Sequence, residues 1–288
     1  MTTWRFDAIG TRWEVETESA LDAERRSEVE RIVADFDATW SRFRPDSTVT
    51  RLSSAGGEAP ATADAAPMLE AFRELSAATA GAVNPLIGDS LAALGYDAEY
   101  SLHAGAPVPA PQEWTRTLTW NRELLRLASA AMIDVGALGK GRLVDLVTDA
   151  LAGIDGALVV DAGGDMTVRG EARIALEHPF DPTRAIGVAT VRDQALCASA
   201  INRRAWGDGL HHVLDARTGA PVTTWAATWA FAADAMHADA VATALFFDGG
   251  PELAHRWGVE WVRMSTSGKA ERTPGAPVEL FTTPRDRG

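Results

Sequence analysis

Cysteine is almost missing from this chain: Cys197 is the only one in 288 residues. That excludes an internal disulfide, a cysteine-rich metal centre and an N-terminal lipid-anchor cysteine. Positive charge is also short, with 27 Lys and Arg against 40 Asp and Glu and a formal net charge of −13. Such a balance argues against nucleic acid or an anionic membrane as the main partner. It also means that any anionic ligand needs local help from a metal ion, a lysine or backbone N–H groups. Apolar runs long enough to span a bilayer are absent. The start, MTTWRFDAIGTRW, has no basic region followed by an apolar one, so the expected location is the cytoplasm. There is no G-x-G-x-x-G, which removes the dinucleotide-binding Rossmann site. Ser199 has no G-x-S-x-G frame, so a hydrolase nucleophile elbow is not supported.

What is present is ample apolar material, 46% of the chain, enough for one large domain or two small ones. The expected organisation is one domain over residues 1–288, single or as two intertwined subdomains. Trp4–Glu16 reads as a strand interrupted at Gly10-Thr11. Val29, Ile32, Val33, Phe36, Trp40 and Phe43 mark one face of a helix that starts near Leu21 and is stopped at Pro45. Residues 54–66, rich in Ala, Gly and Pro, read as a surface loop, and a second helix runs to Gly81. Thr117–Trp120 and Leu124–Leu127 flank a hairpin turn. Short strands follow at Arg173–Leu176, Ala185–Val191, Leu196–Ala198 and Ala226–Phe231, the last leading into a helix over His237–Phe247. A polar, Pro-containing tail closes the chain. Frequent hairpins with irregularly interleaved helices predict an α+β fold of mixed, largely antiparallel sheets with packed helices.

The most informative stretch is Ile133–Asp145, IDVGALGKGRLVD. An apolar run delivers Asp134, then Gly136, Gly139 and Gly141 surround Lys140, and helical spacing begins. The pattern predicts strand, glycine-rich loop and helix. It suits an anionic ligand at a helix N-terminus, and equally a tight strand-to-helix connection. It is not a nucleotide P-loop, because the spacing is too short and Gly141 stands where a Mg²⁺-holding hydroxyl would be. Asp239 and Thr243 lie four apart, so a helix puts them on one face. With a backbone carbonyl they would suit Mg²⁺; packing in an Ala-rich helix is the other reading. His212, ahead of Asp215 and Arg217, is the side chain best placed to take a proton near neutral pH, with the carboxylate to orient it. A structural His-His pair beside a turn is its alternative.

The order of seven segments carries a resemblance: AIGT at 8–11, SRFRPDS at 41–47, GAVNPLIG at 81–88, IDVGALGKGRLVD at 133–145, DAGGD at 161–165, HHVLDARTG at 211–219 and ADAVATA at 238–244. The chain resembles the ApbE family of bacterial FAD:protein FMN transferases. The resemblance implies an enzyme that takes FAD and Mg²⁺, leaves FMN on a Ser or Thr hydroxyl of an acceptor protein with an FMN-binding domain, and releases AMP. It implies Asp239, Thr243 and the carbonyl of Ala137 as metal ligands, with Asp239 essential to catalysis, and His212 as proton acceptor. Ile9, Phe43, Ala82, Val83, Asn84, Asp134, Lys140, Val213 and Ala242 are implied contacts of the flavin nucleotide. Where the family usually has Asp-Pro-Thr this chain has Asn84-Pro85-Leu86, and Ala216 replaces the usual proline after Asp215. Two rival activities share these residues: FAD hydrolysis to FMN and AMP, and flavin binding without turnover.

Overall fold

The computed structural model describes residues 1–281; the end of the polar tail, 282–288, lies outside the described residues. Strands β1 (Thr2–Ala8) and β2 (Thr11–Thr17) form an antiparallel hairpin. Its two central residues, Ile9 and Gly10, both have positive φ (46° and 72°), as the tightest hairpin turns require. The interruption expected at Gly10-Thr11 is therefore a full chain reversal. Helix α1 (Ala23–Trp40) starts where the Asp22 side chain accepts from the Arg25 N–H, and it buries Val29, Val33, Phe36 and Trp40. It ends at Trp40, before Pro45, because Ser41 is already extended; Phe43 lies beyond it.

Helix α2 (Thr48–Ser53) is capped by Ser47, and β3 (Gly57–Pro60) follows inside the stretch expected to be loop. Gly-Glu-Ala-Pro carries no strand signal of its own; its partner imposes the conformation. After α3 (Ala65–Ala78), α4 (Gly88–Ala93) and α5 (Trp114–Thr117), β4 (Leu118–Trp120) and β5 (Leu124–Leu127) form the expected hairpin, with β3 on the other edge of β5. The predicted strand before Asp134 does not form. Residues 131–134 instead bond to the NPLIG loop, through Gly88 N–H to Met132 O (3.2 Å) and Asp134 N–H to Pro85 O (2.8 Å). Helix α6 (Gly139–Ala150) begins as expected within the glycine-rich bend.

Next come β6 (Leu158–Asp161), β7 (Asp165–His178) and β8 (Asp181–Ala200); the short strands expected here merge into two long ones. The tiny strands β9 (Ala205–Trp206), β10 (Leu210–His211), β11 (Leu214–Asp215) and β12 (Ala220–Pro221) make two further hairpins. Strand β13 (Trp225–Ala232), helices α7 (Ala235–Ala244) and α8 (Gly250–Arg256), and strands β14 (Glu260–Ser265), β15 (Ala270–Arg272) and β16 (Val278–Leu280) complete the described chain.

The main sheet has the order β1-β2-β6-β7-β8-β13-β14-β15, with β16 also paired to β8, and its neighbours run antiparallel. Side chains on its strands alternate between two apolar clusters, as a pleat demands. Ala230 and Ala232 join the cluster shared with α1, α6 and α7, while Trp229 and Phe231 join the opposite one. The architecture is the α+β arrangement of antiparallel sheets and packed helices that the sequence predicts. Among the described residues, no helix is long and apolar enough to cross a membrane.

Candidate active site

The start of α6 lies against the start of α7, and Gly141 makes the approach possible. A Cβ at Gly141 would overlap the Ala235 carbonyl and come within 2.8 Å of the Asp239 Cβ. The Gly141 N–H instead donates to Asp239 Oδ2 at 2.9 Å. One turn further along α7, Thr243 Oγ1 donates to the carbonyl of Ala137 at 3.3 Å. The three oxygen donors expected at a metal are thus gathered where the glycine bend meets α7. Replacing Gly141 with Ala would gain about 1 kcal/mol in helix propensity. Backbone overlap outweighs it, and the variant is expected to lose about 1–3 kcal/mol of stability in a urea-unfolding measurement.

Charge is crowded at this junction. Asp165, fully buried at the start of β7, pairs with the Lys140 ammonium and accepts from the Ala198 N–H at 3.2 Å. Asp239 is also buried, and burial together with the nearby Asp165 charge pushes its carboxyl up to about 8. Burial alone would lower Lys140, but the charges of Asp165 and Asp239 outweigh it and raise its pKa. Asp165 and Asp239 thus share the Lys140 ammonium and the nearby Arg204 charge, and Asp239 keeps its proton near neutral pH unless a cation takes its place. No cluster of three or more His, Cys, Asp or Glu in metal-binding arrangement occurs among the described residues. A carboxylate, a hydroxyl and a carbonyl form a hard, oxygen-only donor set, which fits Mg²⁺ better than Zn²⁺.

Asp134 closes the other side of the bend. Its Oδ1 accepts from the Gly136 N–H at 2.7 Å and its Oδ2 from Arg42 Nε at 2.6 Å, in an almost fully buried ion pair. The Arg42 guanidinium lies 4.1 Å from the Phe43 ring centroid and 4.8 Å from that of Tyr96, and its Nη2 is buried without a partner. The hairpin turn carrying Ile9 abuts the DAGGD turn, where a Cβ on Gly163 would overlap Thr11 Oγ1. A β-branched residue at φ 46° is an outlier, and such strain concentrates at functional sites.

His212 follows β10, and its N–H donates to the Arg204 carbonyl at 3.2 Å. Its Nδ1 is buried and unpaired, and burial, reinforced by the charges of Arg204, His211 and Lys140, pushes the imidazole down to about 3. The expected orienting role of Asp215 is not seen: that carboxylate is taken by Arg217 at 2.6 Å and by the turn. His211 is the structural member of the pair, with Nε2 bonded to the Val222 carbonyl (2.9 Å) and Nδ1 accepting from the Val213 N–H (3.3 Å).

The remaining implied flavin contacts are largely occupied by the fold. Ala82 O accepts from Ala216 N–H (3.0 Å), and Val83 N–H donates to Thr79 Oγ1 (3.1 Å). Asn84 spends its amide on Pro111 O (2.8 Å) and its carbonyl on Leu86 N–H (2.9 Å). Ala242 turns its methyl into the core and its carbonyl to Thr228 Oγ1 (2.6 Å). These bonds explain two departures from the family pattern. A carboxylate at 84 could not donate to Pro111, and a proline at 216 could not donate to Ala82.

Four site residues were not singled out by sequence reasoning: Arg42, Tyr96, Asp165 and Arg204. Arg42 and Asp165 sit within the matched segments SRFRPDS and DAGGD, so their signal was present. The others lie in stretches without a motif.

Comparison with known proteins places this arrangement. The model of the ApbE family matches residues 9–262. Among solved structures, the Pseudomonas stutzeri flavinyl transferase ApbE superposes with a TM-score of 0.78 at 23% identity, over 95% of this chain and 94% of that one. The Thermotoga maritima ApbE protein gives 0.80 at 20% (95% and 97%), and the Vibrio cholerae flavin transferase ApbE 0.77 at 21% (95% and 97%). No curated protein sequence matched. These structures share the fold, and the family model spans the bend, the Asp239–Thr243 face and His212 together: the chain belongs to the ApbE family.

Proposed function

We propose that the protein transfers FMN from FAD to a Ser or Thr hydroxyl of an acceptor protein, in a Mg²⁺-dependent reaction that releases AMP. The observation that carries this reading is the convergence of Asp239, Thr243 and the Ala137 carbonyl beside a buried Lys140–Asp165 pair. The flavin-transferase names of the Pseudomonas and Vibrio structures support it. So do two buried polar atoms without partners, Arg42 Nη2 and His212 Nδ1, as expected of groups that await a polar ligand.

Asp239, Thr243 and Ala137 would hold the ion, whose contribution is to offset diphosphate charge and ease the departure of AMP. Lys140 adds a fixed positive charge beside it, so the transferred phosphoryl group is positioned and its charge stabilised. Asp134 and Arg42 brace one another, and Arg42 in turn fixes Phe43 as an apolar surface for the flavin ring. A threonine hydroxyl is a poor nucleophile, and His212 takes its proton. In the flavin-free protein the imidazole is a weak base chiefly because it is buried, and Arg204, His211 and the Lys140 cation oppose its charging further. An incoming diphosphate screens those cations and raises its basicity when the proton must move.

Incubation with FAD, Mg²⁺ and an FMN-binding acceptor domain separates this reading from its rivals. A flavin adduct on the acceptor supports transfer. Free FMN with AMP marks a pyrophosphatase, and intact FAD marks a binding protein.

A further inference from the structure

Phe43 is already covered by its own chain. The Arg42 guanidinium lies over the ring, Tyr96 meets it edge-on with centroids 5.4 Å apart, and Tyr100 stacks on it at 5.1 Å with the planes only 7° apart. A flat ligand ring cannot stack on Phe43 until one of these three leaves. Arg42 is held by its buried pair with Asp134. Tyr96 is 6% exposed and itself stacked on Trp206 at 5.5 Å. Tyr100 alone is loosely held: it is 50% exposed, and its hydroxyl makes no hydrogen bond among the described residues.

The backbone under Tyr100 is strained as well. Tyr100 and Leu102 both adopt positive φ, 51° and 54°, in a turn tied by Tyr100 N–H to Asp97 O (3.2 Å) and Ser101 N–H to Asp97 Oδ1 (2.8 Å). Non-glycine residues keep such a conformation only when something nearby compensates, and here the turn's hydrogen bonds, among them Leu102 N–H to Gly95 O (2.9 Å), share that role with the stacked ring. Besides Phe43 the ring meets only the edge of Tyr96, with centroids 5.6 Å apart and planes at 73°, among the aromatic contacts of the described residues.

We propose that Tyr100 is a displaceable occupant of the stacking place on Phe43, an aromatic stand-in that a flavin ring must evict. The proposal rests on the assignment of Phe43 to the flavin site. An offset ring pair holds the closed state by an amount that translates into a competent fraction of about one third to one fifteenth. Tyr100→Ala is therefore expected to tighten FAD binding by about threefold to fifteenfold. The gain comes through faster association with dissociation unchanged, because the ring leaves before the flavin is seated.

The test is FAD binding to the full chain, read by flavin fluorescence at equilibrium and by stopped flow, for the wild type and for Tyr100→Ala, Tyr100→Phe and Phe43→Ala. Tighter binding with faster association in Tyr100→Ala, returned to the wild-type values by Tyr100→Phe, is the expected result. Weaker binding through faster dissociation in Tyr100→Ala, or no change, would overturn the proposal while a weakened Phe43→Ala keeps the flavin site where it is placed. Unchanged binding in Phe43→Ala would remove the flavin from Phe43 and overturn both.

Discussion

Asp239→Asn is expected to lower Mg²⁺-dependent FAD cleavage by about a thousandfold or more, the effect of losing several kcal/mol of charge stabilisation at the transition state. The amide keeps the shape and can still accept from the Gly141 N–H, so the fold survives the change. Stability should in fact be equal or higher. The folded Asp239 carboxyl sits at about 8 against an ordinary 3.8, so the wild type binds a proton more tightly when folded than unfolded. Its contribution to stability is complete below 3.8 and is lost as pH rises through 8, whereas an asparagine has no such loss. An activity collapse with an unchanged or raised unfolding midpoint separates a lost ligand from a misfolded protein. The same carboxyl must shed its proton to hold a cation. Apparent Mg²⁺ affinity should therefore rise about tenfold per pH unit until pH 8 and level off above it.

His212→Ala should cut transfer by about 10²–10⁴-fold while FAD binding largely survives. Its pH signature is distinctive. Burial and neighbouring cations hold the imidazole at about 3, below its ordinary 6.5, so stability from this group is present above 6.5 and is lost as pH falls towards 3. At neutral pH the ring is already an unprotonated base. The acid limb of the transfer rate then belongs to Asp239 and its metal, and more Mg²⁺ should move that limb to lower pH. A limb of kcat/KM, which reports the flavin-free protein, that stays near 6.5 at every Mg²⁺ concentration would assign it to His212 and contradict the environment described here.

The sequence made the donors legible and hid their arrangement. The i,i+4 spacing of Asp239 and Thr243 was enough to put them on one helical face, and the glycines announced a bend before α6. That these two features touch depends on Gly141 lacking a Cβ against Ala235, a contact between residues 94 positions apart that no local pattern encodes. Asp165 was hidden for a related reason: in DAGGD it looks like a turn residue, and only the β7–β8 pairing buries it against Lys140. Local errors came from the same source. The run before Asp134 has strand composition but finds the NPLIG loop in place of a ladder, and β3 has none yet pairs with β5. The aromatic cover over Phe43 was illegible because Tyr100 lies in a stretch with no periodicity, placed by a turn and by its ring.

Metal-dependent transfer is tested most directly by measuring AMP release and the intact mass of the acceptor in one reaction, before EDTA, after it, and after Mg²⁺ is restored. The prediction is one flavin adduct for each AMP, both stopped by EDTA and both recovered with Mg²⁺. AMP without an adduct would contradict transfer, and adduct formation that continues in EDTA would contradict the metal at Asp239.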